Sequence, residues 1–387
     1  MRRTLRLTVA SAVGGGLTGV VSYAFLRSLD WATRTRLAHG WLEWLLPAVG
    51  LLVGLTYHYL GGGAKGGTAA VIEQGHLFTH GVPARMTPMI FGGSIVGHLA
   101  GASVGREGAA LQIAGSVTDT AARVARLSHE DRRTLIAASL AGGWGAVFAV
   151  PFTGVAFTMQ VTHRHPMRAL LPAIASAFAG HFVVRALGYK FDGRPRLAAP
   201  DLSVGLPAKL VLLGIACGLL ARLFVWSIHI VRRYVAHILR WPPARPVLGG
   251  FLTLAAMLLF GRDYLGLSSQ LLGPAFAGQH VNWYVPLLKL MFTVIALGTG
   301  FVGGEVLPLF VIGGTVGGVI APGLHAPAPL LATTGSAAVF SSAASVMLTG
   351  VVLTVEQFGW NTLLPALVVG MVARLAAGKP GLYVAHS

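Results

Sequence analysis

Four of the twelve acidic residues, Glu73, Glu107, Glu305 and Glu356, sit in apolar or glycine-rich surroundings rather than in polar breaks. An ionisable group at membrane depth costs several kcal/mol, so each is a functional candidate by default. Glu107 follows Gly105-Arg106 and begins the apolar run from Gly108 to Val117, which puts it at the first turn of a helix. Free backbone N–H groups and the positive end of the helix dipole would hold its carboxylate there, and would equally hold an anion that displaced it. The competing reading is a helix-starting acid paired with Arg106. Glu305 opens the matching helix in the second half of the chain and carries the same two readings, whereas Glu73 and Glu356 read as structural. Glycines at both helix starts leave N–H groups accessible to a small ion, although small residues also serve simply to let membrane helices approach closely.

These residues need an apolar frame, and the composition supplies one. Of 387 residues 54% are hydrophobic, 52 are Gly and only 11% are charged, with a mean hydropathy of +0.70. This predicts an all-α polytopic membrane protein. The net charge of +17 (29 basic, 12 acidic) would suggest nucleic acid in a soluble protein, but here the basic residues fall in short breaks between apolar runs. No nucleic-acid partner is expected. Arg2, Arg3 and Arg6, then Arg123 to Arg133, Arg164 to Arg168 and Arg232 to Arg245 mark candidate cytoplasmic loops. Lys190, Arg194 and Arg196 do not fit that pattern. The stretch from Leu7 to Leu26 is read as a retained first helix with a cytosolic N-terminus, and the location as the inner (plasma) membrane. The lone Cys217 allows neither an intrachain disulfide nor a cysteine metal cluster.

Thirteen apolar stretches follow one another from residue 7 to residue 377, several too short to cross a bilayer alone. Glycine-rich breaks such as Gly61 to Gly67 and Gly303-Gly304 fall at membrane depth, where irregular backbone is tolerated only inside protein or along a cavity. The chain also resembles itself. Val104-Gly105-Arg106-Glu107 parallels Val302-Gly303-Gly304-Glu305 at an offset of 198 (302 − 104). Ile113 to Val117 parallels Ile312 to Val316 at 199 (312 − 113), and Phe152 to Thr158 parallels Leu348 to Thr354 at 196 (348 − 152). Residues 1–187 and 207–387 are therefore read as two membrane repeats joined by a linker at 188–206, with no cytoplasmic regulatory domain. Interrupted helices at matching positions point to a transporter or channel with its site at the repeat interface.

Other chemistries fit less well. Gly101-Ala102-Ser103-Val104-Gly105 matches the Gly-x-Ser-x-Gly pattern, with His98 nearby, but that motif acts only on a strand-to-helix elbow. No His-Glu-x-x-His zinc motif occurs, and His163 and His165 lie in a basic loop that suits solvated side chains. A purely structural scaffold leaves the two acids at matched helix starts unexplained. No cofactor, metal site or enzymatic activity is expected.

Gly105-Arg106-Glu107-Gly108 resembles the Gly-Lys/Arg-Glu-Gly signature of the CLC family of chloride channels and proton-coupled anion antiporters. Phe148 to Gly154 falls at that family's Phe-x-x-Pro-x-x-Gly segment, Gly303 to Pro308 at its Gly-Gly-x-x-x-Pro position, and Gly378 to Tyr383 at its terminal helix. The resemblance implies an inverted-repeat helical bundle with interrupted helices, assembled as a homodimer with one pore per subunit. It implies that Glu107 is the gating, proton-passing glutamate, that Tyr383 offers its hydroxyl, and that the N–H groups of Val306 and Leu307 point at the anion. Gly105, Arg106 and Gly108 complete the expected anion-binding set. The family's Gly-Ser-Gly-Ile-Pro loop is replaced by Ala64 to Ala70, which leaves Thr68 as a candidate substitute for the lost serine. Gln160 and Val161 stand where the internal proton-relay glutamate belongs. Gly-Gly-Glu-Val-x-Pro-Leu-Phe resembles the fluoride-exporting branch, with Glu305 as a second acid, though Leu307 stands where that branch usually carries threonine. The resemblance therefore implies fluoride exchanged for protons, with chloride or mixed-halide transport as the alternative.

Overall fold

Proline and glycine set the helix boundaries. Proline stands in the first turn of the helices Leu46–Leu60, Pro151–Val161, Leu206–Ile238, Val285–Thr299 and Ala328–Ala343, where its missing N–H is no loss. The structure, a computed structural model, describes residues 2–162, 166–191, 196–197, 205–378 and 381–383. Sixteen α-helices and no strand occur among them. The first eight are α1 (Arg2–Ala38), α2 (Leu46–Leu60), α3 (Gly67–His76), α4 (Met86–Ala100), α5 (Glu107–Val124), α6 (His129–Phe148), α7 (Pro151–Val161) and α8 (Pro166–Ala186). The second eight are α9 (Leu206–Ile238), α10 (Ala244–Phe260), α11 (Leu272–Phe276), α12 (Val285–Thr299), α13 (Val306–Gly323), α14 (Ala328–Ala343), α15 (Met347–Phe358) and α16 (Leu363–Ala377).

Each set of eight opens on a long helix, of 37 and 33 residues, and each has helices of 15 and then 18 residues in its fourth and fifth places. Among the described residues six segments are long and apolar enough to cross a membrane, and three further apolar helices are shorter. The apolar run at 328–356 divides into α14 and α15 at Ala344 to Val346. Sequence patterning also overlooked the short helices α3 and α11. His163 and His165, like Arg194, lie outside the described residues.

The helices α5, α6, α13 and α14 form the interior, buried along nearly their whole length. Their contacts are close because the side chains are small: a Cβ on Gly313 of α13 would stand 2.1 Å from the carbonyl oxygen of Gly335 on α14. Exposed Leu, Phe and Trp side chains cover the outside.

Ion pairs collect the basic segments at one end. Arg3 bonds Glu130 and Asp131 at 2.8 Å each, and Arg168 reaches Glu130 at 3.2 Å. Asp119 accepts Arg132 through both oxygens, at 2.8 and 2.9 Å, and also the N–H of Val82 at 2.8 Å. Arg85 in turn donates to the carbonyl oxygen of Leu60, at the end of α2. The start of the linker lies at the opposite end, where Tyr189 bonds Asp30 near the end of α1. Lys190, next to Tyr189, thus lies away from the basic cluster.

Asp119 and Arg132 are both buried, so removing one strands the other's charge. Asp119→Ala is expected to lower stability by about 3–5 kcal/mol, measurable as a drop in thermal unfolding temperature in detergent.

Candidate functional site

The lead-ins to α5 and α13 meet at one point. Both follow a helix that ends on a left-handed glycine, Gly101 (φ 92°) after α4 and Gly300 (φ 107°) after α12, a conformation that favours a residue without Cβ. The N–H of Gly105 donates to the Gly304 carbonyl oxygen at 2.5 Å, and the N–H of Gly304 donates back at 2.7 Å. This two-way bridge sets the N-termini of α5 and α13 against each other.

The Glu107 carboxylate lies where they meet and is 2% exposed. Its Oε2 accepts the N–H of Arg106 at 3.1 Å and the N–H of Leu307 at 3.2 Å, so backbone donors from both helix starts hold one oxygen. Oε1 lies 3.5 Å from Arg106 Nε and has no hydrogen-bond partner. Partial charges and one distant guanidinium can hold a carboxylate without trapping it, and the same donors suit a monovalent anion.

Glu305 stands just before Val306, the first residue of α13, and its Oε1 accepts the Tyr383 hydroxyl. It faces the residue after Glu107: a Cβ on Gly108 would lie 3.5 Å from Glu305 Oε2. The side chain of Thr68, at the start of α3, donates to the carbonyl oxygen of Gly108 at 3.2 Å. Gln112 donates to that same oxygen at 3.2 Å and to Thr68 Oγ1 at 3.4 Å. Thr68, Gln112, Glu305 and Tyr383 line a cavity of about 630 Å³ whose more exposed lining includes Lys65, Arg232 and Arg245. The cavity therefore opens on the same end as Arg85 and the basic cluster, and its charge attracts anions.

Residues 49–378 match the family described as voltage gated chloride channel. The chain belongs to this family. It is a CLC protein, an integral membrane anion transporter and not an enzyme. A chloride/fluoride channel protein of Pseudomonas syringae pv. tomato is 37% identical over 379 residues, 96% of this chain and 84% of that one. The H(+)/Cl(-) exchange transporter ClcA of Vibrio cholerae is 27% identical over 321 residues, 76% of this chain and 68% of that one. Among solved structures, a CLC-type fluoride/proton antiporter superposes with a TM-score of 0.93 at 30% identity, covering 98% of this chain and 97% of that one.

The CLC fold brings together every residue singled out for the site: Gly105, Arg106, Glu107, Gly108, Glu305, Val306, Leu307, Tyr383 and Thr68. Leu307 contributes its backbone N–H to Glu107, while its apolar side chain is 3% exposed. Val306 sits in the same first turn. One expectation is corrected. Matching Glu305 to Glu107 at 198 is a residue out of register, because α4 and α12 start 199 apart (285 − 86), as do α5 and α13 (306 − 107). The bridged pair Gly105 and Gly304 shares that spacing, so Glu305 is the counterpart of Arg106.

Gln112 escaped sequence reading. Its signal was an amide one helical turn after Gly108 in an otherwise apolar run. Glu356 has the structural part expected of it, accepting the N–H groups of Phe152 and Thr153 at 3.0 and 2.7 Å and the Thr153 hydroxyl at 2.6 Å. Gln160 does the same for α15, accepting the N–H of Thr349 at 2.7 Å and its hydroxyl at 2.6 Å. Each of α7 and α15 thus has its first turn capped by a side chain near the end of the other. Glu73 is exposed on α3. Ser103 is fully buried and held by Lys289, on a helix-to-helix connection, which removes the hydrolase reading.

Proposed function

We propose that this protein exports fluoride in exchange for protons. The observation that carries the reading is the second acid: Glu305, bonded to Tyr383, shares the site with Glu107 and lines the basic cavity. Fluoride is small, strongly hydrated and a strong hydrogen-bond acceptor, so a protonated carboxyl stabilises it more than it stabilises chloride. The name of the superposed antiporter supports the same ion, and that of the Pseudomonas relative gives it together with chloride.

In this reading Glu107 is gate and proton carrier. Ionised, it occupies the N–H donors of Arg106 and Leu307; protonated, it leaves them to the anion. Glu305 supplies the second proton-bearing group. The anion is held by the Gly105, Arg106 and Gly108 segment, the N–H groups of Val306 and Leu307, and the hydroxyls of Tyr383 and Thr68. Residues 1–187 and 207–387 act as inverted repeats about the linker at 188–206. Two copies, each with its own pore, form a homodimer in the lipid of the inner membrane. A chloride or mixed-halide transporter is the second reading; it would use Thr68 as a neutral anion ligand, whose hydroxyl proton the Gly108 carbonyl oxygen holds in this structure.

The test is anion efflux from liposomes, with fluoride and chloride electrodes and proton uptake followed in the same sample. Fluoride efflux with opposing proton movement is expected. Chloride efflux at a comparable rate would favour the second reading and leave Glu305 a structural role. Neither flux, in folded protein, would remove both.

A further inference from the structure

Lys289, on α12, is fully buried, and no acid among the described residues forms an ion pair with it. Its Nζ lies 2.9 Å from Ser103 Oγ, 2.9 Å from the Gly266 carbonyl oxygen, 2.9 Å from Ser268 Oγ and 3.3 Å from the Tyr264 carbonyl oxygen. The two carbonyls can only accept. Ser268 gives its own proton to the Leu265 carbonyl oxygen at 3.2 Å, and Ser103 pairs with Thr293 Oγ1 at 3.2 Å, which leaves both hydroxyl oxygens free to accept from Lys289. Four converging acceptors form a cage for an ammonium with its three donors. A buried cation at membrane depth with no paired acid is costly to keep and marks function by default.

The cage joins two segments. On one side is the connection 264–268 before α11. On the other is the lead-in 101–106 that carries Glu107, held by Ser103 and by the N–H of Gly266 donating to the Gly101 carbonyl oxygen at 3.2 Å. Further along the lead-in, Gly105 is bridged to Gly304. The backbone before Glu107 is thus anchored at three points, Gly101, Ser103 and Gly105, and Lys289 provides the second. A side chain that must leave its donors and return to them needs a backbone that does not move with it.

We propose that Lys289 is the positioning residue of the Glu107 gate, its ammonium fixing the 101–106 lead-in through Ser103. The proposal rests on Glu107 being the gate. Three variants separate this role from a general one in folding. Lys289→Met removes the whole cage, Ser103→Ala cuts its tie to the lead-in together with the bond to Thr293, and Ser268→Ala cuts one of its three bonds to the 264–268 connection. In liposomes Lys289→Met and Ser103→Ala are expected to lower the maximal anion flux about tenfold or more, with the half-saturating anion concentration unchanged. Ser268→Ala is expected to retain most of the flux.

Hydrogen exchange on the full-length protein in detergent gives a second readout. Exchange at 101–106 is expected to rise in Lys289→Met and Ser103→Ala and not in Ser268→Ala. If Lys289→Met does not fold, Ser103→Ala against Ser268→Ala carries the comparison. Wild-type flux in Ser103→Ala, equal losses in both serine variants, or unchanged exchange at 101–106 would each overturn the proposal. Absence of anion flux from the wild-type protein would instead overturn the transport reading, and exchange would still decide whether Lys289 holds the lead-in.

Discussion

Glu107→Gln is expected to abolish proton coupling while the protein still folds. The amide keeps the shape of the carboxylate, and its oxygen can still accept the N–H of Leu307, which reaches Glu107 at 3.2 Å. What it loses is the ability to carry a proton and the charge that competes with an anion for those donors. Glu107 is 2% exposed, and Arg106 Nε lies 3.5 Å away, so the variant also leaves that guanidinium without its acid. An anion can displace the neutral amide from those donors, since it supplies the missing charge. Proton uptake in liposomes should therefore fall at least about tenfold, the rate equivalent of ~1.4 kcal/mol, while an anion electrode in the same vesicles reports uncoupled movement. Anion and proton fluxes that both survive undiminished would show that Glu107 is not the proton carrier.

The placement of Glu107 was legible in the sequence because its signal is local. Gly105-Arg106-Glu107-Gly108 ahead of an apolar run places an acid at a helix start, and that is where Glu107 lies. Register between the halves was less legible. Pairing Glu107 with Glu305 compares residue types, whereas the true spacing is set by where α4 and α12 end and by which glycines bridge, and these are features of backbone geometry. The helices α3 and α11, of 10 and 5 residues, are too short to show a periodic apolar face. Lys289 was hidden for a different reason. It is a single cation in an apolar run, and its partners at 103, 264, 266 and 268 come from segments that no local pattern connects to it. Gln112 was nearer to view, yet its importance depends on Thr68, which lies on another helix.

Gly304→Ala should be the most damaging change of a single methyl group at the site. A Cβ there would stand 2.5 Å from the backbone nitrogen of Gly108, 3.1 Å from that of Glu107 and 3.2 Å from Gly108 Cα. All three are backbone atoms in the first turn of α5, so no flexible side-chain end can yield, and the helix start itself must retreat. Its retreat pulls on the bridge to Gly105 and separates Glu107 from the Leu307 N–H that belongs to the other half. Overpacking of this kind typically costs about 1–3 kcal/mol of stability, and a misplacement of ~1 Å at a reacting group can cost about 100-fold in rate. Gly92→Ala, on α4 with nothing within 4 Å of the new Cβ, is the control and should change stability by no more than about 0.5 kcal/mol. Thermal unfolding and anion efflux measured side by side would separate the two effects. Flux in Gly304→Ala equal to that of the Gly92→Ala control would mean that the contact between the two helix starts does not hold the site.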